Sequence, residues 1–248
     1  MFDLKYVRSL TGAVVLGCSV LVWAAPVDDM RKAVEFDDAR TVQKLLGRGV
    51  DPNLADSRGD PMLVIALREK SLKAAAALIK AKDIDFDKAN RAGETPLMMA
   101  SLQGELDMVK LMVDDMEAEV NKTGWTPLHY ACTTGHNDVV KYLIDHAAYI
   151  DAESPNGTTP LMMAARSGHI ETVKLLLDEG ADMRLKNQQG MTVIDFAERY
   201  NQAEIATGLK SRWQKLYPQV PIVAAPPLKA PVAQPGGQPI KAAPASGK

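Results

Sequence analysis

The chain is predicted to be an all-α solenoid, a row of helix-turn-helix units stacked side by side, and three observations predict it. One phrase recurs in clear copies, Gly93-Glu94-Thr95-Pro96-Leu97, Gly124-Trp125-Thr126-Pro127-Leu128 and Gly157-Thr158-Thr159-Pro160-Leu161. Worn copies stand at Gly59-Asp60-Pro61-Met62-Leu63 and Gly190-Met191-Thr192-Val193-Ile194. The leading glycines step by 34, 31, 33 and 33 residues, a period at which each unit buries its apolar faces only against its neighbours. Between phrases the apolar residues keep the spacing of amphipathic helices.

The unit beginning at Gly124 justifies each element in turn. Thr126 is an N-cap whose hydroxyl accepts from an orphan amide of the first turn, and Pro127 takes the first helical position, where a missing N–H costs nothing. Leu128, Ala131 and Cys132 continue this first helix, small residues allow close stacking, and Gly135 ends it. Val139, Val140, Leu143 and Ile144 then give a second helix one apolar face. The next unit repeats the scheme with Gly168-His169, Val173, Leu176 and Leu177, and closes on Glu179-Gly180-Ala181-Asp182.

A Gly-x-Thr-Pro-Leu-His-x-Ala phrase, with Gly135-His136 following His129, resembles the ankyrin repeat over roughly residues 28–217. The resemblance implies L-shaped units, each a helix pair with a short β-hairpin finger. Six repeats are expected at about 28–58, 59–92, 93–123, 124–156, 157–189 and 190–217, inside a repeat domain 25–217. The first is degenerate, keeping Val42, Leu45, Leu46 and Gly49-Val50-Asp51, and the last ends in Leu209-Lys210-Ser211-Arg212-Trp213. Such end units must show one face to water. The 31-residue step predicts a short or distorted finger between Met116 and Gly124.

The two ends fall outside the array. Lys5 and Arg8, an apolar run from Gly12 to Trp23 and then Ala24-Ala25-Pro26 make a secretory signal peptide over 1–24, cut after Ala24. Val15-Leu16-Gly17-Cys18 offers a rival reading, a lipid anchor on Cys18, although the residues after Cys18 stay apolar where a lipoprotein turns polar. With cleavage after Ala24 one cysteine remains, Cys132, in a small-residue core position. Residues 218–248 hold eight of the 15 prolines, three lysines and no acid. They are expected to form a disordered Pro/Ala-rich tail.

Of 29 Lys and Arg and 31 Asp and Glu, the signal holds Asp3, Lys5 and Arg8 and the tail three lysines, which leaves 24 basic against 30 acidic in the array. A mildly acidic array with no basic stripe is a poor nucleic-acid binder. The four histidines, His129, His136, His146 and His169, all have structural explanations in the repeat, and no phosphate loop, nucleophile elbow or zinc spacing occurs. Met98-Met99 and Met162-Met163 stand in matching slots, with methionine where the family usually has histidine at 98 and 162. Their thioethers could take Cu(I), but the pairs are two repeats apart, on the order of 20 Å if neighbouring helices pack ~10 Å apart. Gap filling in the core is the plainer reading.

Binding surface is therefore where function is sought. In ankyrin proteins the finger tips and the exposed side of the first helices make the contacts. Carried over residue by residue, the resemblance implies partner-binding roles for Arg91, Glu94, Trp125, Tyr130, Thr134, Asn156, Thr158, Arg166 and Met191. Trp125, expected to be exposed beside Arg91, Arg166 and Tyr130, has the character of an interface hot spot. The alternative is that it packs over a neighbouring finger. The chain thus reads as an exported, bacterial-type interaction module: a periplasmic scaffold, inhibitor or stabiliser of a protein partner. It is expected to be monomeric and non-enzymatic, with no catalytic, cofactor or metal site, no nucleic-acid partner and no stable membrane insertion. A secreted factor acting on a host protein, and a copper-handling protein or enzyme, are the alternatives.

Overall fold

The computed structural model describes residues 21–222, with side chains from Pro26 onward. The signal residues 1–20 with Cys18, and the tail beyond 222, lie outside the described residues. Twelve α-helices follow as six pairs: α1 Leu21–Glu35 and α2 Ala39–Leu46, α3 Met62–Arg68 and α4 Leu72–Ile79, α5 Pro96–Gln103 and α6 Leu106–Lys110. They continue as α7 Pro127–Thr134 and α8 Asn137–Asp145, α9 Pro160–Ser167 and α10 Ile170–Asp178, α11 Val193–Arg199 and α12 Ala203–Leu216. The odd-numbered helices pack on one another in a front row, and each is backed by its even-numbered partner. This is the predicted all-α repeat stack.

Local chemistry sets each unit. Thr95, Thr126, Thr159 and Thr192 cap α5, α7, α9 and α11, each hydroxyl accepting from the amide three residues on. The front helices end on a left-handed residue, Gly104 (φ 72°), Gly135 (φ 76°) and Gly168 (φ 85°), with Lys70 (φ 59°) and Asn201 (φ 58°) in the worn units. At two of these glycines close approach adds a second requirement. A Cβ on Gly104 would stand 2.4 Å from His136 Nδ1, and one on Gly135 would stand 2.5 Å from His169 Nδ1. The histidine of each Gly-His pair therefore lids the glycine of the preceding unit. His169 Nε2 also meets Thr133 O at 3.0 Å. One apolar core runs the length of the stack, from Met30 to Trp213, with Leu97, Ala100, Leu128, Ala131, Cys132, Leu161 and Ala164 almost wholly buried.

The fingers differ from the expected β-hairpins. Among the described residues there is no strand and one isolated bridge, Ala55 with Pro61. Each regular finger is a tight turn closed by two backbone bonds: Asp56 N to Asp60 O, Asn90 N to Glu94 O, Ser154 N to Thr158 O and Asn187 N to Met191 O, each joined by the glycine amide (Gly59, Gly93, Gly157, Gly190) donating back to the carbonyl of the same tip residue. A side chain takes the amides that a facing strand would have taken. Asp56 Oδ1 accepts from Arg58 and Asp60, Asn90 Oδ1 from Ala92 and Glu94, and Asn187 Oδ1 from Gln189 and Met191.

A second polar residue at the base of each finger binds the next unit. Asn53 Oδ1 accepts from Asp85 N, Asp87 Oδ1 from Glu119 N, Asn121 Oδ1 from Tyr149 N and Asp151 Oδ1 from Asp182 N, at 2.8 to 3.1 Å. In regular fingers base and tip residues stand three apart, as in Asn53 and Asp56 or Asp87 and Asn90. The short finger keeps its base residue, Asn121, but Gly124 falls where the tip residue would be. The 31-residue unit has thus lost its tip and kept its link to the next repeat. The helix before it ends in a π-helical turn, Leu111–Asp115.

Helix α1, described over Leu21–Glu35, overlaps the end of the predicted signal. Beyond Tyr217 the chain folds back, and Trp213 Nε1 donates to Val220 O at 2.9 Å. None of the described helices is long and apolar enough to cross a membrane.

Candidate functional site: the front face

The residue after each leading glycine starts the face: Asp60, Glu94, Trp125, Thr158 and Met191. Eight residues later the last turn of each front helix presents Arg68, Leu102, Thr133, Arg166 and Arg199 to the same region. Tip and helix meet at this spacing. Arg68 Nη1 lies 2.8 Å from Asp60 Oδ2, and its Nη2 lies 3.1 Å from Glu94 Oε2 of the following unit.

Around Arg68 the charges close into a ladder. Arg31 meets Asp56 at 2.5 Å, Arg58 meets Asp56 at 3.1 Å, and Asn90 Nδ2 donates to both Asp60 Oδ1 and Glu94 Oε2. Tyr130 Oη donates to Glu94 Oε1 at 3.2 Å. Burial works against the Asp60 charge, yet the Arg68 guanidinium and the Asn90 amide outweigh it and hold this carboxyl below the usual range. Burial and then the Glu94 carboxylate push the Tyr130 phenol above its ordinary value.

The later units carry no such ladder. Trp125 is half-buried, its ring edge-on to His129 at a centroid distance of 5.2 Å. Thr133 and Thr134 turn their hydroxyls back to the carbonyls of His129 and Tyr130. Arg166 stacks on the Tyr200 ring at 4.8 Å, and Arg199 Nη1 lies 3.7 Å from Met191 Sδ.

The nine sequence-predicted contact residues are not equally placed. Arg91 is exposed and lies across Gly59, while Glu94, Trp125, Thr134, Asn156 and Arg166 are half-buried. Tyr130, Thr158 and Met191 are buried, at 7%, 2% and 5% exposure, and present no free side chain to a partner. The fold gives a reason for each. Tyr130 is spent on Glu94, while the amides of Thr158 and Met191 close their fingers. Trp125 is likewise not the exposed side chain that was expected, because it packs against the core beside His129. Arg199 and Tyr200 were overlooked, although the step of 33 residues that links Arg166 to Arg199 could have found them.

The chemically capable groups are inward. His129 Nδ1 accepts from Thr126 N at 3.2 Å, so Nε2 carries the proton and donates to Thr158 O at 2.9 Å. Burial lowers its pKa to about 4. Cys132 is fully buried, and burial pushes its thiol upward, away from the reactive thiolate. Met98, Met99, Met162 and Met163 lie in the core at 1%, 1%, 1% and 6% exposure. Met98 Sδ stands in for the missing imidazole, accepting from Thr95 N at 3.4 Å. At Met98 the acceptor of the cap thus survives, while the imidazole donor to the next unit is lost.

Comparison with known families agrees with the geometry. The family described as ankyrin repeats (3 copies) matches residues 30–123, 82–154, 111–187 and 148–215 in overlapping placements. No curated relative matches the chain. With a family match over more than half its length and a stack of capped helix pairs, the chain belongs to the ankyrin-repeat family.

Proposed function

We propose that this chain is an exported scaffold that holds a protein partner against its front face, in the periplasm of a bacterial-type cell. Membership of the ankyrin family marks it as a protein–protein interaction module. The observation that carries the finer reading is the uneven use of the front face. In the first three units its charges are bound to one another, whereas Trp125, Thr134, Arg166 and Tyr200 in the later units combine aromatic and arginine character at partly accessible positions. Such residues dominate interface energetics. Capture from the producing cell's envelope extract tests this. Trp125→Ala is expected to abolish capture while the helical circular dichroism stays unchanged, and unchanged capture moves the binding surface elsewhere.

Export is supported by the basic, apolar and small-residue order of residues 1–25 and by Pro26. Inside α1 this proline has no N–H to return to Val22, an interruption that a mid-helix position penalises. Cleavage after Ala24 leaves Pro26 in the first turn, where the N–H is not needed. Mass measurement of the fractionated protein is expected to find a chain beginning at Ala25 in the periplasm. An intact Met1 in the cytosol contradicts export, and recovery only from the medium selects the secreted alternative.

A further inference from the structure

We infer that the front face of the last two units binds an acidic segment of the partner protein, through Arg166 and Arg199. This inference rests on the front-face reading above and names the chemistry of what it holds. In the second unit the helix arginine, Arg68, finds a carboxylate eight residues back, Asp60, and another in the next finger, Glu94. In the fifth and sixth units the same helix position is again arginine, Arg166 and Arg199, but the corresponding finger positions are Thr158 and Met191. The scaffold that closes a charge pair at Arg68 leaves these two guanidiniums with a carbonyl-bonded threonine and a thioether.

Their present contacts agree. Arg166 rests on the Tyr200 ring, and Arg199 reaches Met191 Sδ. Asp195, one turn before Arg199, spends Oδ2 on the cap, accepting from Thr192 N and Thr192 Oγ1 at 2.7 Å each. Of the neighbouring ion pairs, Lys174 with Glu171 and Arg212 with Asp178 belong to α10 and α12, and Glu198, next to Arg199 on α11, is held by Lys210 of α12. Arginine matches carboxylates through paired donors, and two arginines one repeat apart, about 10 Å, suit carboxylates a few residues apart on an extended peptide. Tyr200, under the Arg166 guanidinium, gives apolar contact, which favours a peptide over a bare polyanion. The acidic excess of the array as a whole also disfavours nucleic acid.

The test is fluorescence anisotropy with the purified chain and a dye-labelled twelve-residue peptide of alternating Glu and Leu, about 40 Å long when extended. Its Lys-Leu counterpart and an oligothymidylate of similar length serve as comparators. The acidic peptide is expected to bind, and Arg166→Gln with Arg199→Gln to weaken it by about a hundredfold, tenfold for each charge-assisted contact. Lys141→Gln with Lys174→Gln removes the same charge from the back row and is expected to leave binding within about twofold. No binding of the acidic peptide, equal binding of the Lys-Leu peptide, equal loss in the two double variants, or tighter binding of the oligothymidylate each overturns the inference. Photo-crosslinks to a partner from Ser167, on the front face, stand or fall independently of these outcomes and test the underlying reading.

Discussion

At the scale of single residues, His129 shows how one side chain ties two units. Its Nδ1 completes the cap of α7 and its Nε2 holds the next finger through Thr158 O. The group is buried and neutral, with a folded pKa of about 4 against 6.5 for a free imidazole. Because the folded pKa is depressed, its stabilisation is fully present above pH 6.5 and is lost as pH falls toward 4. The full loss is on the order of 3 kcal/mol. His129→Met copies the residue found at Met98 and Met162 and removes this titration. Urea unfolding at pH 7.5 is expected to find the variant less stable than the natural chain, with the gap shrinking or reversing by pH 4.5. A gap independent of pH contradicts the buried neutral imidazole. The converse change, Met162→His, supplies a donor aimed at the carbonyl of Met191 and is expected to stabilise by about 1 kcal/mol, read as a higher urea midpoint.

At the scale of elements, the helices were legible because capping threonine, Pro, Gly and apolar spacing agree in the three regular units that hold α5, α7 and α9, and the period carries the reading into the worn ones. The fingers were less so. A β-hairpin and an Asx-closed turn need the same Gly and polar residues, and only the amides' actual partners, such as Asp56 Oδ1 and Asn90 Oδ1, tell them apart. The 31-residue step correctly marked the short finger, yet which half was lost depended on Asn121 bonding forward to Tyr149 rather than closing its own tip. The lid of His169 over Gly135 gives the sharpest prediction at this scale. Gly135→Ala places a Cβ at positive φ and 2.5 Å from the imidazole. It is expected to cost about 2 kcal/mol or more in unfolding free energy. A cost below about 0.5 kcal/mol, as at an unconstrained surface site, contradicts the lid.

At the scale of the whole molecule, the repeat period gave the stack and the family, and it could not give the binding surface. Sequence counts Asp60, Arg68 and Glu94 as exposed charges in the same way as Arg166, whereas folding joins the first three into a ladder and leaves Arg166 on an aromatic ring. Likewise the finger position that holds Trp125 in one unit holds Thr158 and Met191 in the next two, where tight turns bury them. The pattern therefore divides the front face: an amino-terminal half occupied with itself and a carboxy-terminal half with groups to offer. In-cell photo-crosslinking tests this division most directly, with a photoreactive residue at Ser167 on α9 or at Lys174 on α10. A covalent adduct with a second protein is expected from Ser167 and none from Lys174. Adducts from Lys174 alone would contradict the division.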